Sequence, residues 1–290
     1  MSIFYSYPDF SNAQIFRNQN LTGIITEQGK QFVSSNMTAD LLDRLMEQGL
    51  SLKDSPTTTA ALITLPGSET SAFLKRNNNK GFRFTCRYLF RPARVFHAAK
   101  AAVVFEQYGI KTPRVFMAAE KKKGLLLQSG YIITETIQNV KSVYHMLRGS
   151  DQPREIVDCF LPWAAKTVAK LHQLGIEHGD LKLVNFYCCG DWHDPDSSCG
   201  IWDLDSVKIG KRVEPEKVNR EIARIFFPFV YFMGKYDDCL DYTKEKCKEF
   251  CSMYQQYAPE LYTPDTAQII EKYEKRMISV LRKQKGSATC

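Results

Sequence analysis

The chain has 290 residues, 44% of them hydrophobic and 24% charged, with a formal net charge of +7. That balance excludes a disordered or fibrous protein and allows two lobes sharing a cleft. Nine cysteines, an odd number in no regular framework, argue for a reduced, cytoplasmic protein over a disulfide scaffold.

The start, MSIFYSYPDF, lacks the basic and apolar segments of a signal peptide, so none is expected. Residues 1–50 read as an extension packed on the first lobe. Within them Thr38 caps a helix over Met37 to Leu50, with Leu41, Leu42, Leu45 and Met46 on one face. Ser51 to Thr59 reads as a loop offering hydroxyls and backbone N–H groups, with no glycine-rich cradle. Thr57 to Leu65 and Ser71 to Arg76 read as a hairpin turned by Pro66-Gly67-Ser68-Glu69, which puts Lys75 near the end of its second strand. A helix over Pro92 to Tyr108 follows, stopped by Gly109. Ile110 to Met117 and Tyr131 to Ile137 read as strands on either side of a polar turn, Glu120 to Gly124, and the second is the connection between lobes. Arg154 to Leu174 is an amphipathic helix that buries Ile156, Phe160, Leu161, Val168 and Leu171 and ends at Gly175. It leads into His178-Gly179-Asp180-Leu181-Lys182-Leu183-Val184-Asn185 and then the strand-like Ile201-Trp202-Asp203-Leu204-Asp205. After a short basic link, Ser206 to Arg212, helices are expected around Glu216 to Phe227, Asp241 to Gln256 and Thr266 to Gln284. The longest apolar window, Ile225 to Met233, contains Pro228, is too short to span a bilayer and reads as buried helix.

An Asp five residues before an Asn, with a second Asp on a later strand, is the pattern of a phosphoryl-transfer loop. Asp180 and Lys182 are the candidate catalytic residues; Asn185 and Asp203 are the candidate ligands of Mg2+. A loop this tight points Asp180 and Asn185 into one pocket, where the metal neutralises phosphate charge while Asp180 faces the acceptor hydroxyl. A strand lysine in the place of Lys75 presents its ammonium to the α- and β-phosphates of ATP. Thr134 would face the adenine, and the backbone of Glu135 to Ile137 would meet its edge. The expected fold is therefore α+β, bilobal and protein-kinase-like, with a small β-rich lobe over residues 51–137 and a larger helical lobe over 138–290.

Other clusters carry less. From Thr70 to Phe105 there is no acidic residue, while Lys75, Arg76, Lys80, Arg83, Arg87, Arg91, Arg94 and Lys100 fall inside. Such a segment attracts phosphates or an anionic membrane surface, or is simply a solvated helix face. No nucleic-acid-binding motif accompanies it, so no nucleic-acid partner is expected. Cys188, Cys189, His193 and Cys199 lack the paired knuckles of a zinc site and read as a strand and its turn. Cys247 and Cys251 read as helix packing, His172 as structural, and His178 as a brace of the loop.

With these residues placed, the chain resembles the lipopolysaccharide kinases, bacterial enzymes that phosphorylate heptose or Kdo sugars of the inner core. The resemblance rests on Phe-Leu-Lys-Arg at 73–76, Gly-Ile-Lys-Thr-Pro at 109–113, Ser-Gly-Tyr-Ile-Ile-Thr-Glu at 129–135, His-Gly-Asp-Leu at 178–181 and Asp-Leu-Asp at 203–205. It implies a protein-kinase-like fold, Lys75 on the ATP phosphates, Asp180 as the catalytic Asp, and Asn185 and Asp203 on magnesium. One departure stands out. The Glu that relatives place early in the helix after the strand lysine is missing here: Arg94-Val95-Phe96-His97-Ala98 occupies that region, and Glu106 lies near the helix's far end. The resulting expectation is an ATP- and Mg2+-dependent kinase acting on a sugar or glycolipid hydroxyl of lipopolysaccharide, cytoplasmic and in peripheral contact with the inner membrane. A protein kinase shares Asp-Leu-Lys-x-x-Asn but needs an activation segment for which this chain has no room. A nucleotide-binding pseudokinase scaffold remains the third reading.

Overall fold

The computed structural model describes residues 12–79, 81 and 92–287. The chain divides into two compact units, Met1–Ile137 and Gln138–Cys290.

The first unit contains strands β1 (Gln14–Asn18) and β2 (Leu21–Ile25), helix α1 (Ala39–Gln48), strands β3 (Leu50–Ser55), β4 (Thr58–Thr64) and β5 (Ser71–Asn78), helix α2 (Arg94–Gln107), and strands β6 (Val115–Lys123) and β7 (Leu126–Glu135). The strands form one antiparallel sheet in the order β1-β2-β6-β7-β5-β4-β3. The Thr38 hydroxyl accepts the Leu41 N–H at 3.2 Å and starts α1, whose Leu42 and Met46 pack into a core with Leu74, Phe116, Tyr131 and Ile133. Successive strand residues point to opposite faces, and paired residues share a face. Lys75 pairs with Ala60 and Ile132, and Phe73 with Thr134, so this set lies on the face away from α1. Part of that face is covered by α2, which approaches where Gly130 has no side chain: a Cβ there would lie 3.2 Å from Val95. No side chain of α2's own caps its start. Buried Glu120 of β6 supplies the acceptor instead, taking the Ala93 N–H at 3.1 Å while its other oxygen pairs with Lys122 at 2.7 Å.

Three expectations change here. Ser51 to Thr59 is largely strand, since β3 runs through Ser55 and pairs with β4, leaving Pro56 and Thr57 as the turn. As the sheet's edge, β3 carries only Leu50 and Leu52 as large apolar residues, both exposed, so no buried face announces it. The strand expected at Ile110 begins only at Val115, and the lysines of the expected polar turn belong to β6, which continues through Lys123. Of the basic run, Lys80, Arg83, Arg87 and Arg91 lie outside the described residues, while Arg76 pairs with Asp43 of α1 at 2.8 Å.

The second unit contains β8 (Val140–Ser142), α3 (Val143–Gly149), α4 (Pro153–Gln173), β9 (Ile176–Glu177), β10 (Phe186–Cys189), β11 (Cys199–Ile201), β12 (Lys208–Ile209), α5 (Pro215–Phe226), α6 (Cys239–Tyr257) and α7 (Thr266–Ser287). Pro153 opens α4, where its missing N–H costs nothing. The helix buries the apolar stripe read from its sequence and packs on α6, while α7 packs on α5 through Ile269, Tyr273 and Met277. Strand β10 pairs with β8 and β11, and β12 pairs with β9. Among the described residues no helix is long and apolar enough to cross a membrane.

Candidate active site

The chain leaves α4 through Gly175 and, after β9, enters the loop at His178. Gly179 adopts φ 83°, and a Cβ on it would lie 2.5 Å from the Ser206 carbonyl oxygen. Both the left-handed backbone and the close approach require glycine. The next residue, Asp180, is held by its own main chain: its carbonyl accepts the Lys182 N–H at 2.9 Å and the Asn185 Nδ2 at 2.7 Å. Its carboxylate pairs with Lys182 Nζ at 2.8 Å, and Arg224 Nη1 stands 3.7 Å away. Since Nδ2 of Asn185 is engaged, Oδ1 is the amide atom suited to ligating a cation.

Trp202 joins this loop to the segment that carries the second Asp. Its backbone N–H donates to the Asn185 carbonyl at 3.0 Å, and its indole donates to the Val184 carbonyl at 2.8 Å. The Trp202 carbonyl accepts from His178 Nε2 at 3.3 Å. Asp203 follows with φ 59° and ψ 59°, a left-handed conformation that non-glycine residues adopt at a cost and that recurs at functional positions. Burial lowers the pKa of His178 in spite of the Glu221, Asp203 and Asp180 carboxylates around it. The ring is therefore neutral. Its proton sits on Nε2, and Nδ1 has no hydrogen-bond partner among the described residues. A neutral imidazole donating to a main-chain carbonyl braces the loop.

A second brace comes from α5. Glu221 is fully buried, and its carboxylate accepts the His178 N–H at 3.3 Å, the Gly179 N–H at 2.5 Å and His172 Nε2 at 3.1 Å. Burial pushes its pKa up, yet these donors outweigh that and hold the carboxyl below the ordinary range, so it is ionised. His172 is itself fixed by the Tyr254 hydroxyl at 2.9 Å. One turn along α5, Arg224 donates to the Gly179 carbonyl. Gly179, the residue before Asp180, is thus gripped at both its N–H and its C=O.

The structure therefore brings Asp180, Lys182, Asn185 and Asp203 into one bonded neighbourhood within the second unit. In the first unit, Lys75 and Thr134 share one face of the sheet. The N–H of Glu135 donates to the Arg114 carbonyl at 2.9 Å, its carboxylate pairs with the Arg114 side chain at 2.7 Å, and its carbonyl accepts the Thr134 hydroxyl at 3.2 Å. Ile137 ends the unit. Glu106, the single acid of α2, accepts from Gln28 at 3.1 Å on an exposed surface. Cys188 and Cys199 face each other across β10 and β11, with Ser198 against both Cys188 and Cys189, as packed hairpin residues.

Glu221 and Arg224 escape a reading built on the loop alone. The available signal is a Glu placed in the apolar stripe Val218, Ile222, Ile225, Phe226, where only a paired carboxylate is tolerated.

The sequence profile of the lipopolysaccharide kinase (Kdo/WaaP) family matches residues 36–254. The chain belongs to this family. Lipopolysaccharide kinases are phosphotransferases, so the gripped Asp180 sits in a kinase of lipopolysaccharide biosynthesis, and kinase chemistry implies use of ATP. A solved structure of WaaP in complex with acyl carrier protein has a similar fold, with a TM-score of 0.57 at 15% identity over 90% of this chain and 97% of that chain. No curated protein matches the sequence.

Proposed function

We propose that this lipopolysaccharide kinase transfers the γ-phosphoryl group of ATP to a hydroxyl of a core sugar, heptose or Kdo, with its two units acting as the lobes of a protein-kinase-like fold. The observation that carries this reading is the loop around Asp180: its backbone is gripped by Glu221, Arg224 and Asn185, and its carboxylate is left half-exposed beside Lys182. In this reading Asp180 accepts the hydrogen bond of the acceptor hydroxyl and orients its oxygen, a positioning effect realised mainly in the transition state. Lys182, which pairs with Asp180 at 2.8 Å, would follow the negative charge of the transferred group. Lys75 would hold the α- and β-phosphates. Thr134 with the carbonyl of Glu135 and the backbone of Ile137 would hold the adenine.

Magnesium fits the residues present. Among the described residues no group of three or more His, Cys, Asp or Glu could hold a metal, but Mg2+ keeps several waters and takes the rest of its shell from phosphates, so two oxygen ligands suffice. Asn185 Oδ1 and the Asp203 carboxylate are hard oxygen donors tied together through Trp202. When bound, the ion would neutralise phosphate charge. The protein would work in the cytoplasm, at the inner-membrane face where its acceptor is anchored.

The test is phosphotransfer from ATP to purified core oligosaccharides with magnesium titrated in. Wild-type protein should phosphorylate them, and Asp180→Ala should lower kcat by about 10² or more while changing ATP affinity little. Asp203→Ala should raise the magnesium requirement. Near-normal turnover in the Asp180 variant, or transfer to protein hydroxyls in preference to sugars, would overturn the reading.

A further inference from the structure

Glu177, three residues before Asp180, is almost fully buried, and three cations converge on it: Arg220 at 2.7 Å, Lys217 at 3.0 Å and Lys208 at 3.7 Å. One hydrogen-bonded arginine satisfies a buried carboxylate. Three cations within 4 Å of it exceed its one negative charge by two, a local surplus of positive charge that an anionic ligand would offset. The surplus is reachable, since the Lys217, Arg220 and Lys208 side chains are 38%, 46% and 68% exposed.

The cations also have an order. Lys217, Arg220 and Arg224 recur at three and four residues along α5, so they form one stripe on that helix. Arg224 ends the stripe at the catalytic loop, where it meets the Gly179 carbonyl and approaches Asp180. With a rise of 1.5 Å per residue, Arg220 and Lys217 lie about 6 and about 10 Å further along the axis. Lys208 joins them from β12, whose pairing sets it opposite Glu177. The acids at this end of the helix, Glu214 at the N-cap and Glu216 in the first turn, precede the stripe, where they favour the helix dipole.

We propose that Lys208, Lys217 and Arg220 form an anion subsite for the acceptor, which reads a phosphate monoester or sugar carboxylate on the residue next to the one being phosphorylated. The assignment rests on the kinase reading above and adds an acceptor requirement: a negative group that reaches the α5 stripe about one to two helical turns from Arg224. Glu177 serves as the pedestal that fixes the cations in the absence of ligand.

The double variant Lys208→Gln/Lys217→Gln removes the surplus and leaves Arg220 to pair Glu177. A same-charge control, Lys166→Gln/Lys275→Gln, removes two lysines that pair elsewhere on this unit, with Asp196 and Glu271. Steady-state kinetics would be measured on deacylated core oligosaccharide in three forms: intact, enzymatically dephosphorylated, and carboxyl-reduced. The subsite variant should raise KM for the intact acceptor about tenfold, with KM for ATP unchanged, and the control should not. Its penalty should vanish on the dephosphorylated acceptor if a phosphate is read, or on the carboxyl-reduced one if a carboxylate is read. Equal penalties on all three forms, no penalty at all, or an equal penalty in the control would each overturn the subsite. Should wild-type protein phosphorylate none of the acceptors, the kinase reading fails by itself. The subsite is then judged by calorimetric titration with inorganic pyrophosphate, where affinity must fall in the subsite variant relative to the control; equal affinity rejects it.

Discussion

Two buried carboxylates flank the Asp180 loop, and they are solvated in opposite ways. Glu221 is enclosed by neutral main-chain N–H groups and an imidazole, with no solvent contact. Glu177 is enclosed by three charged side chains that all reach water. Directional N–H bonds from the loop itself fix geometry, and salt cannot screen them away from solvent. Long cationic side chains around Glu177 fix charge while retaining freedom to rearrange. The first carboxylate holds Asp180 in place; the second sets the field beside it.

The contrast breaks most visibly at Glu221. Glu221→Ala leaves buried donors unpaired and should cost roughly 3–5 kcal/mol in denaturant unfolding, with turnover falling alongside; a loss under about 1 kcal/mol would mean the carboxylate is dispensable. Gly179→Ala should come next, at about 1–3 kcal/mol, because it adds both strain and a clash with Ser206. Gly124, at φ 60° with nothing within 4 Å of a would-be Cβ, isolates the strain alone, so Gly124→Ala should cost less and leave kcat intact. If the two alanine variants prove equally stable, the close approach at Gly179 has no energetic weight.

Acid sharpens the same comparison. His178 is held neutral by burial, so the unfolded chain takes up its proton first as pH falls. Its contribution is complete above the ordinary value of 6.5 and is lost progressively below it. Glu221, with its pKa depressed, contributes above the ordinary carboxyl value of 4.5 and loses that contribution as pH falls through its lower folded value. Melting temperature should therefore decline in two stages from pH 6.5 downward, and His178→Gln should shrink the first, to which His97, its pKa lowered by burial and by Lys100, also contributes; an unchanged profile would show that folding does not shift the pKa of His178. The smallest effect belongs to the charged cluster. Lys217→Gln should change stability by at most about 1 kcal/mol, and the change should fade in about 0.5 M salt, whereas that of Glu221→Ala should persist.

The loop was legible because its chemistry is contiguous: Asp180, Lys182 and Asn185 lie within six residues, and Asp203 follows just beyond the next hairpin, past the strand end at Ile201. The longer helices were legible for the same local reason, as in α4, where the apolar stripe ends at Gly175, whereas the short α3 was not expected. Strand β3 was hidden because an edge strand with one pairing partner buries no alternating face. The role of Glu221 was hidden because it acts across more than forty residues, through a single polar position in an apolar stripe. Separation in sequence, more than weakness of interaction, decides what a linear reading recovers.

Trp202 gives the site an optical consequence. Its indole is bonded to the loop at Val184, its ring lies 5.2 Å from that of Tyr187, and its peptide continues directly into Asp203. A cation drawn to Asp203, or a nucleotide that reorders the loop, must disturb the surroundings of a natural fluorophore one residue away. Emission from Trp202, isolated by replacing Trp163 and Trp192, would report occupancy of the site in unlabelled protein, before any phosphate has moved.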